Sequence, residues 1–164
     1  MTGTRSARVT VRAATIKDLD TVVALRVALL REHAANPIYR RLRSDVVSRA
    51  RRLFTQQLNS PGEVTFLAER EGRAVGILRC VESTGSPLLL PAHYAYVSSV
   101  YVVPDVRRAG VLTALMEHAE AWAREAGLEE FRLHSVATGD AANSAWDALG
   151  FEIVEHLRSR PVSN

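Results

Sequence analysis

The run from Val97 to Gly127 constrains the fold more than any other stretch of the chain. β-Branched and aromatic residues from Val97 to Val103 read as a strand, and Pro104-Asp105 ends it. Arg107-Arg108-Ala109-Gly110 then makes a basic, glycine-containing turn. Apolar residues at Val111, Leu112, Leu115, Met116, Ala119, Trp122 and Ala123 follow at helical spacing. A helix starting from such a turn leaves backbone N–H groups without intrahelical partners and places the positive end of its dipole among arginines. An anion, best a phosphate, suits that geometry.

The flanking elements alternate between strand and helix. Val9 to Ala13 reads as a strand, and Thr15 with Asp18 forms a capping-box pair for a helix carrying Leu19, Val22, Val23, Leu25, Leu29 and Leu30 inward. A second helix starts near Ser44-Asp45, with Val47, Ala50, Leu53, Phe54 and Leu58 inward, and stops at Ser60-Pro61-Gly62. Glu63 to Arg70 and Ala74 to Ser83 are strands joined by the hairpin turn Glu71-Gly72-Arg73. Thr84 to Pro91 is a loop whose Leu88-Leu89-Leu90 tip could cover a ligand or pack on the body. Gly127 closes the central helix, Phe131 to Val136 is a strand, Asp140 to Leu149 a short helix, and Phe151 to Arg158 a last strand. The expected class is α/β (α+β), a mixed sheet with helices on its faces.

Composition narrows the setting. The chain has 164 residues, 47% apolar and 24% charged, as a soluble globular protein has. One domain over 1–164 is expected, with 1–7 as a flexible tail. Lys17 is the only lysine, so the basic charge is arginine, and a net +3 favours anionic ligands only weakly. Cys80 is the only cysteine, so no intrachain disulfide forms, and no Cys/His spacing suggests a metal. The N-terminus lacks the apolar core of a signal peptide, and no segment approaches a membrane span. The most apolar window, VVALRVALL, is interrupted by Arg26. A cytoplasmic protein with no membrane and no nucleic-acid partner is expected. Arg40, Arg41, Arg43, Arg49, Arg51 and Arg52 are either a solvated face or a basic rim for an acidic acceptor or nucleic acid. The absence of interleaved aromatics favours the solvated face.

The segment Val100-Tyr101-Val102-Val103-Pro104-Asp105-Val106-Arg107-Arg108-Ala109-Gly110-Val111-Leu112 resembles the GNAT superfamily of N-acetyltransferases, which use acetyl-CoA. In that superfamily a strand ending in a V-P-like step precedes Arg/Gln-x-x-Gly-x-Gly/Ala. Arg107 and Gly110 match, and Leu112 stands where Gly or Ala is usual. Leu149-Gly150-Phe151 resembles the C-terminal signature. The resemblance covers nearly the whole chain. It implies a mostly antiparallel sheet of roughly six to seven strands with about four helices, splayed at its central strands. It also implies that N–H groups of Arg108, Ala109, Gly110, Val111, Leu112 and Thr113 hold the CoA pyrophosphate, with Arg107 assisting. A helix start contributes about 0.3–1 kcal/mol per favourable charge, so several donors are needed. Val100, Tyr101 and Val102 would offer strand-edge groups to the pantetheine arm, and one N–H would polarise the thioester carbonyl.

The chemistry is less regular. The superfamily's usual tyrosine acid falls at Trp146, whose indole N–H does not give up a proton at neutral pH. The usual strand carboxylate is missing, with Tyr96, Ser98 and Ser99 in that region. The catalytic candidates are His134, whose ordinary pKa suits a base, and Ser99. Glu32, Glu82 and His93 are further bases, and Tyr94, Tyr96 and Tyr101 are available phenols. The implied activity is acetyl transfer to a primary amine of a small molecule or peptide, by direct attack in a ternary complex. The alternatives are a non-catalytic acyl-CoA-binding regulatory module and arginine-mediated nucleic-acid binding. A homodimer through the C-terminal strands is a superfamily habit.

Overall fold

The computed structural model describes residues 8–162, so the expected tail at 1–7 lies outside the described residues. Its one sheet has five strands in chain order, β1 (Val9–Ala13), β2 (Glu63–Arg70), β3 (Arg73–Thr84), β4 (His93–Val102) and β5 (Phe131–Leu133). The first four run antiparallel to their neighbours and β5 runs parallel to β4. Four α-helices accompany them, α1 (Leu19–Glu32), α2 (Val46–Gln57), α3 (Val111–Glu125) and α4 (Asp140–Ala148). The mixed α/β class holds, with fewer strands than the six to seven expected.

Alternation along the strands divides the core between the two faces. Phe66, Ala68, Leu78, Cys80 and Val97 face α3, which brings Val111, Leu115, Met116 and Ala119. Leu67 and Ile77 face the other way, onto Val22, Val23, Leu25 and Val27 of α1 and Phe54 of α2. Leu67, Leu78 and Leu115 are fully buried, each removal from water contributing about 1.5–3 kcal/mol. Gly76 sets how closely α3 approaches. A Cβ there would meet Val111 Cγ1 at 2.9 Å and Leu115 Cδ1 at 3.2 Å. Cys80 has the expected buried apolar role, and burial pushes its thiol up to about 12.

The Thr15–Asp18 capping box forms at the entry to α1, through a short 3-10 turn over Ile16–Asp18. Asp18 also receives both terminal nitrogens of Arg12, at 2.9 and 2.8 Å, and Arg12 reaches Glu69 at 2.8 Å. This network clasps β1, β2 and α1 together.

Several expectations are corrected. Phe151–Arg158 is not a strand, because no neighbouring strand lies beside it to complete a ladder, and Ile153, Val154 and Leu157 are exposed. The strand expected over Phe131–Val136 ends at Leu133, where pairing with β4 stops. Val47 and Leu53, expected inward, are 47% and 49% exposed, since the buried seam of α2 is only Ala50 and Phe54 wide. The Leu88–Leu90 tip neither packs on the body nor reaches the central cleft, with Leu88 89% and Leu90 91% exposed. Of the arginines around α2, Arg43 and Arg49 pair with Asp45, and Arg51 pairs with Asp20 of α1. No helix among the described residues is long and apolar enough to cross a membrane.

Candidate active site

The sheet opens between β4 and β5. β4 and β5 pair at Ala95–Phe131, Tyr96–Arg132 and Val97–Leu133, and beyond that point β4 continues with only β3 beside it. A bulge marks the opening. Ile77 pairs with Tyr101 and Arg79 with Ser98, so Ser99 and Val100 together oppose Leu78. Ser99 absorbs the irregularity with φ of 54°, a left-handed conformation unusual for a side chain of its kind.

The bulge decides which backbone groups face the opening. The Val103 N–H donates to the Val75 carbonyl at 2.9 Å, toward β3. Because successive residues point their polar groups to opposite edges, Val102 and Val100 point theirs into the opening, while Tyr101 pairs with Ile77. The Val102 carbonyl accepts from Arg107 Nε at 2.8 Å, as this alternation requires. Val100 and Val102 are therefore the edge residues, and Tyr101 instead carries the Arg107 guanidinium 5.6 Å from its ring centre.

At the end of β4 the chain turns through Pro104–Val106 and reaches α3 with Arg108 at φ 63° and Gly110 at φ 78°. Gly110 is the residue before the helix, and no side chain caps it. The backbone N–H groups from Arg108 to Thr113 find no partner among the described residues. Alternating left-handed and ordinary backbone makes those N–H groups converge into an anion-binding nest. Leu112, where a smaller residue is usual, turns its side chain toward the core around α3 and leaves its amide free. Arg107 is committed elsewhere. Its Nη2 donates to Glu32 Oε2 at 2.6 Å, so its charge is shared with a carboxylate of α1.

The nest, the open edge of β4, α1 and α4 enclose a cleft of about 1000 Å³. All the cofactor-binding candidates except Ala109 line it, with His134, Ser99 and Trp146. His134 follows the last residue of β5, and its Nδ1 lies 2.6 Å from the Tyr96 hydroxyl. Burial, with Tyr39 and Tyr94 nearby, pushes the Tyr96 phenol up, so it keeps its proton at neutral pH. With Nδ1 protonated, the ring donates to Tyr96 Oη and Nε2 is free to accept a proton. Trp146 stands edge-on to Phe151, with ring centres 5.3 Å apart, and walls the cleft. His93 and Glu82 lie outside it, 3.6 Å from each other at the far end of the β3–β4 pair. Arg26, Tyr39 and His33 also line the cleft, and the sequence pattern alone did not mark them as site residues. For Arg26 a signal was present, a cation within the most apolar window of the chain.

Residues 27–151 match the family described as the Acetyltransferase (GNAT) family. The chain belongs to that family. Among its GNAT relatives, an aminoglycoside N(6')-acetyltransferase type 1 of Klebsiella aerogenes is 34% identical over 98 residues, which is 60% of this chain and 64% of that protein. The chain thus matches under two thirds of that relative's length. Two solved GNAT-type structures share the fold. A predicted acetyltransferase with acetyl-CoA from Clostridium acetobutylicum superposes with a TM-score of 0.76 at 17% identity, over 94% of this chain and 96% of that one. The apo aminoglycoside antibiotic 6'-N-acetyltransferase of Acinetobacter haemolyticus gives 0.74 at 20% identity, over 94% and 99%.

Proposed function

We propose that the chain is an acetyl-CoA-dependent N-acetyltransferase that acetylates a primary amine by direct attack in a ternary complex. The observation that carries this reading is the open β4 edge leading into an uncapped helix start whose N–H groups from Arg108 to Thr113 are free. That arrangement fits both the amide-rich arm and the diphosphate of CoA, and the family supports it. The relatives named as aminoglycoside acetyltransferases support a small-molecule acceptor over a peptide one.

Bound acetyl-CoA supplies the acetyl group as a thioester. The nest holds the diphosphate by several N–H donors at once, and Leu112 contributes its amide. The polar backbone of Val100 and Val102 lines up the arm as an added strand would, and the Val100 N–H faces the opening where charge develops on the carbonyl oxygen. His134 Nε2 takes the proton of the attacking amine, with the Tyr96 hydroxyl hydrogen-bonded to Nδ1 and orienting the ring. Ser99 shapes the bulge and lines the cleft. Trp146 provides no transferable proton, so the thiolate departs without an acid from the usual tyrosine position.

Acetyl-CoA should raise the thermal midpoint, and free CoA thiol should appear when an accepted amine is added. No midpoint shift at millimolar acetyl-CoA would sink the reading. A second reading, a non-catalytic acyl-CoA-binding module, draws on Trp146 packed against Phe151 at the usual tyrosine position. Binding without turnover across a broad amine panel would select it. Exposed Ile153, Val154 and Leu157 also support pairing of the C-terminal tail with a second copy, which a solution mass measurement would read as a dimer.

A further inference from the structure

The two ends of the cleft differ in charge as well as in construction. At the Val102 end the nest is ready for phosphates. At the Ser98 end stands Arg26, half-buried on α1, with no hydrogen bond or ion pair to any described residue. Its cationic neighbour Arg79 is already neutralised, since Arg79 Nε donates to Glu63 at 2.6 Å, and its Nη1 reaches Ser98 Oγ at 3.3 Å. Burial holds the Arg26 guanidinium below its ordinary value, with Arg79 adding to the effect and Tyr39 opposing it. Arginine still keeps its proton in proteins, so Arg26 remains an uncompensated cation in a partly desolvated site.

The acids of the cleft do not offset it. Glu32 is spent on Arg107, and Asp140 sits at the start of α4. The remaining ionisable groups at this end are His33 and His134, and His33 stands 5.9 Å from the Tyr39 ring. A cleft for a polycationic amino sugar needs several free carboxylates, and this one offers Asp140 alone, with Arg26 unpaired at the Ser98 end. Nor does Arg26 serve the CoA diphosphate. It neighbours Arg79, which touches Ser98, and from Ser98 to Val102 the strand runs on the order of 13 Å toward the nest. Val97 pairs with Leu133, so His134 comes level with Ser98. Arg26 and His134 thus stand at the same level of the opening, one on α1 and one beyond β5.

We infer that the acceptor is an amine bearing an anionic group, a carboxylate or a phosphate, which Arg26 holds while His134 faces the amine. This rests on the acetyltransferase reading and narrows its substrate class. The planar fork of Arg26 suits either anion through paired N–H donors.

The test is a CoA-release assay on matched acceptors, each amino carboxylate against its amide and each aminoalkyl phosphate against its amino alcohol, with kanamycin as the polycation. The acidic member should be preferred in at least one class of pair, which also says whether carboxylate or phosphate is meant. Arg26→Gln should lower the acidic-to-neutral ratio of kcat/KM by roughly 10- to 100-fold, the size of one charge-assisted hydrogen bond, mainly through KM. Arg26→Lys should restore part of it, and serves as the test if the glutamine variant does not fold. Preference for neutral members or kanamycin, or an unchanged ratio in the variants, overturns the inference while leaving the acetyltransferase reading intact. Should acetyl-CoA bind with no turnover, the same pairs are read by midpoint shift of the CoA complex. Absence of any extra shift from the acidic members then overturns it. Failure to bind acetyl-CoA at all strikes the underlying reading instead.

Discussion

The two ends of the cleft are made of different materials. The Val102 end is backbone: a strand edge, an irregular turn and the free N–H groups of a helix start. The Ser98 end is side chains: His134 against Tyr96, and the half-buried Arg26 of α1. A backbone site depends on conformation and tolerates many side chains. A side-chain site depends on which groups converge, so it carries the chemistry and the choice of acceptor. One fold can therefore keep the first and vary the second.

Substitutions at each end should separate these roles. The largest effect is expected from His134→Gln, which removes the proposed base and should lower kcat about 10²- to 10⁴-fold in steady-state assays, with KM for acetyl-CoA unchanged. Equal loss of both parameters would mean that the two ends are not independent. Next comes Gly76→Val, which pushes α3 off the sheet at Val111 and Leu115. Overpacking there should cost about 1–3 kcal/mol, and a calorimetric midpoint should fall by roughly 2–12 °C. Acetyl-CoA affinity should fall with it, because the nest rides on α3.

Gly110→Ala is a smaller probe of the same end. Nothing lies within 4 Å of the added Cβ, so the cost is that of holding alanine at φ 78°, about 1–2 kcal/mol. If the turn relaxes to relieve that strain, titration should show several-fold weaker acetyl-CoA binding and an unaltered acceptor preference. The smallest effect is expected from Asp18→Asn, remote from both ends. It should cost about 1 kcal/mol of stability in denaturant unfolding and leave the kinetics alone. Its pH dependence has a fixed sign. Arg12 holds the Asp18 carboxyl below the usual range, so its contribution is present above the unfolded value of about 3.9 and is lost as pH falls below it. The two proteins should therefore converge in stability toward low pH. A gap that widened in acid would contradict the ion pair.

Much of this was legible before any coordinates. Thr15 and Asp18 form the capping box their spacing indicates, though on the 3-10 turn leading into α1, Gly72 turns the β2–β3 hairpin, and Gly110 opens α3. These are local signals, fixed by conformational preference within a few residues. The last strand was misread because Phe151 to Arg158 has strand composition with no strand beside it, and a ladder needs a partner that composition does not reveal. Val47 and Leu53 were misplaced because helical periodicity gives a direction but not the width of the buried seam.

The sequence by itself determined the strand-turn-helix at Val97–Gly127, its uncapped helix start and the family, because backbone geometry there follows from residue order. Only the tertiary structure decided the bulge at Ser99 and the pairing of His134 with Tyr96. It alone also decided the commitment of Arg107 to Glu32 and the isolation of Arg26. Those depend on contacts between α1, β4 and β5, which are far apart in the chain and meet only when the core closes.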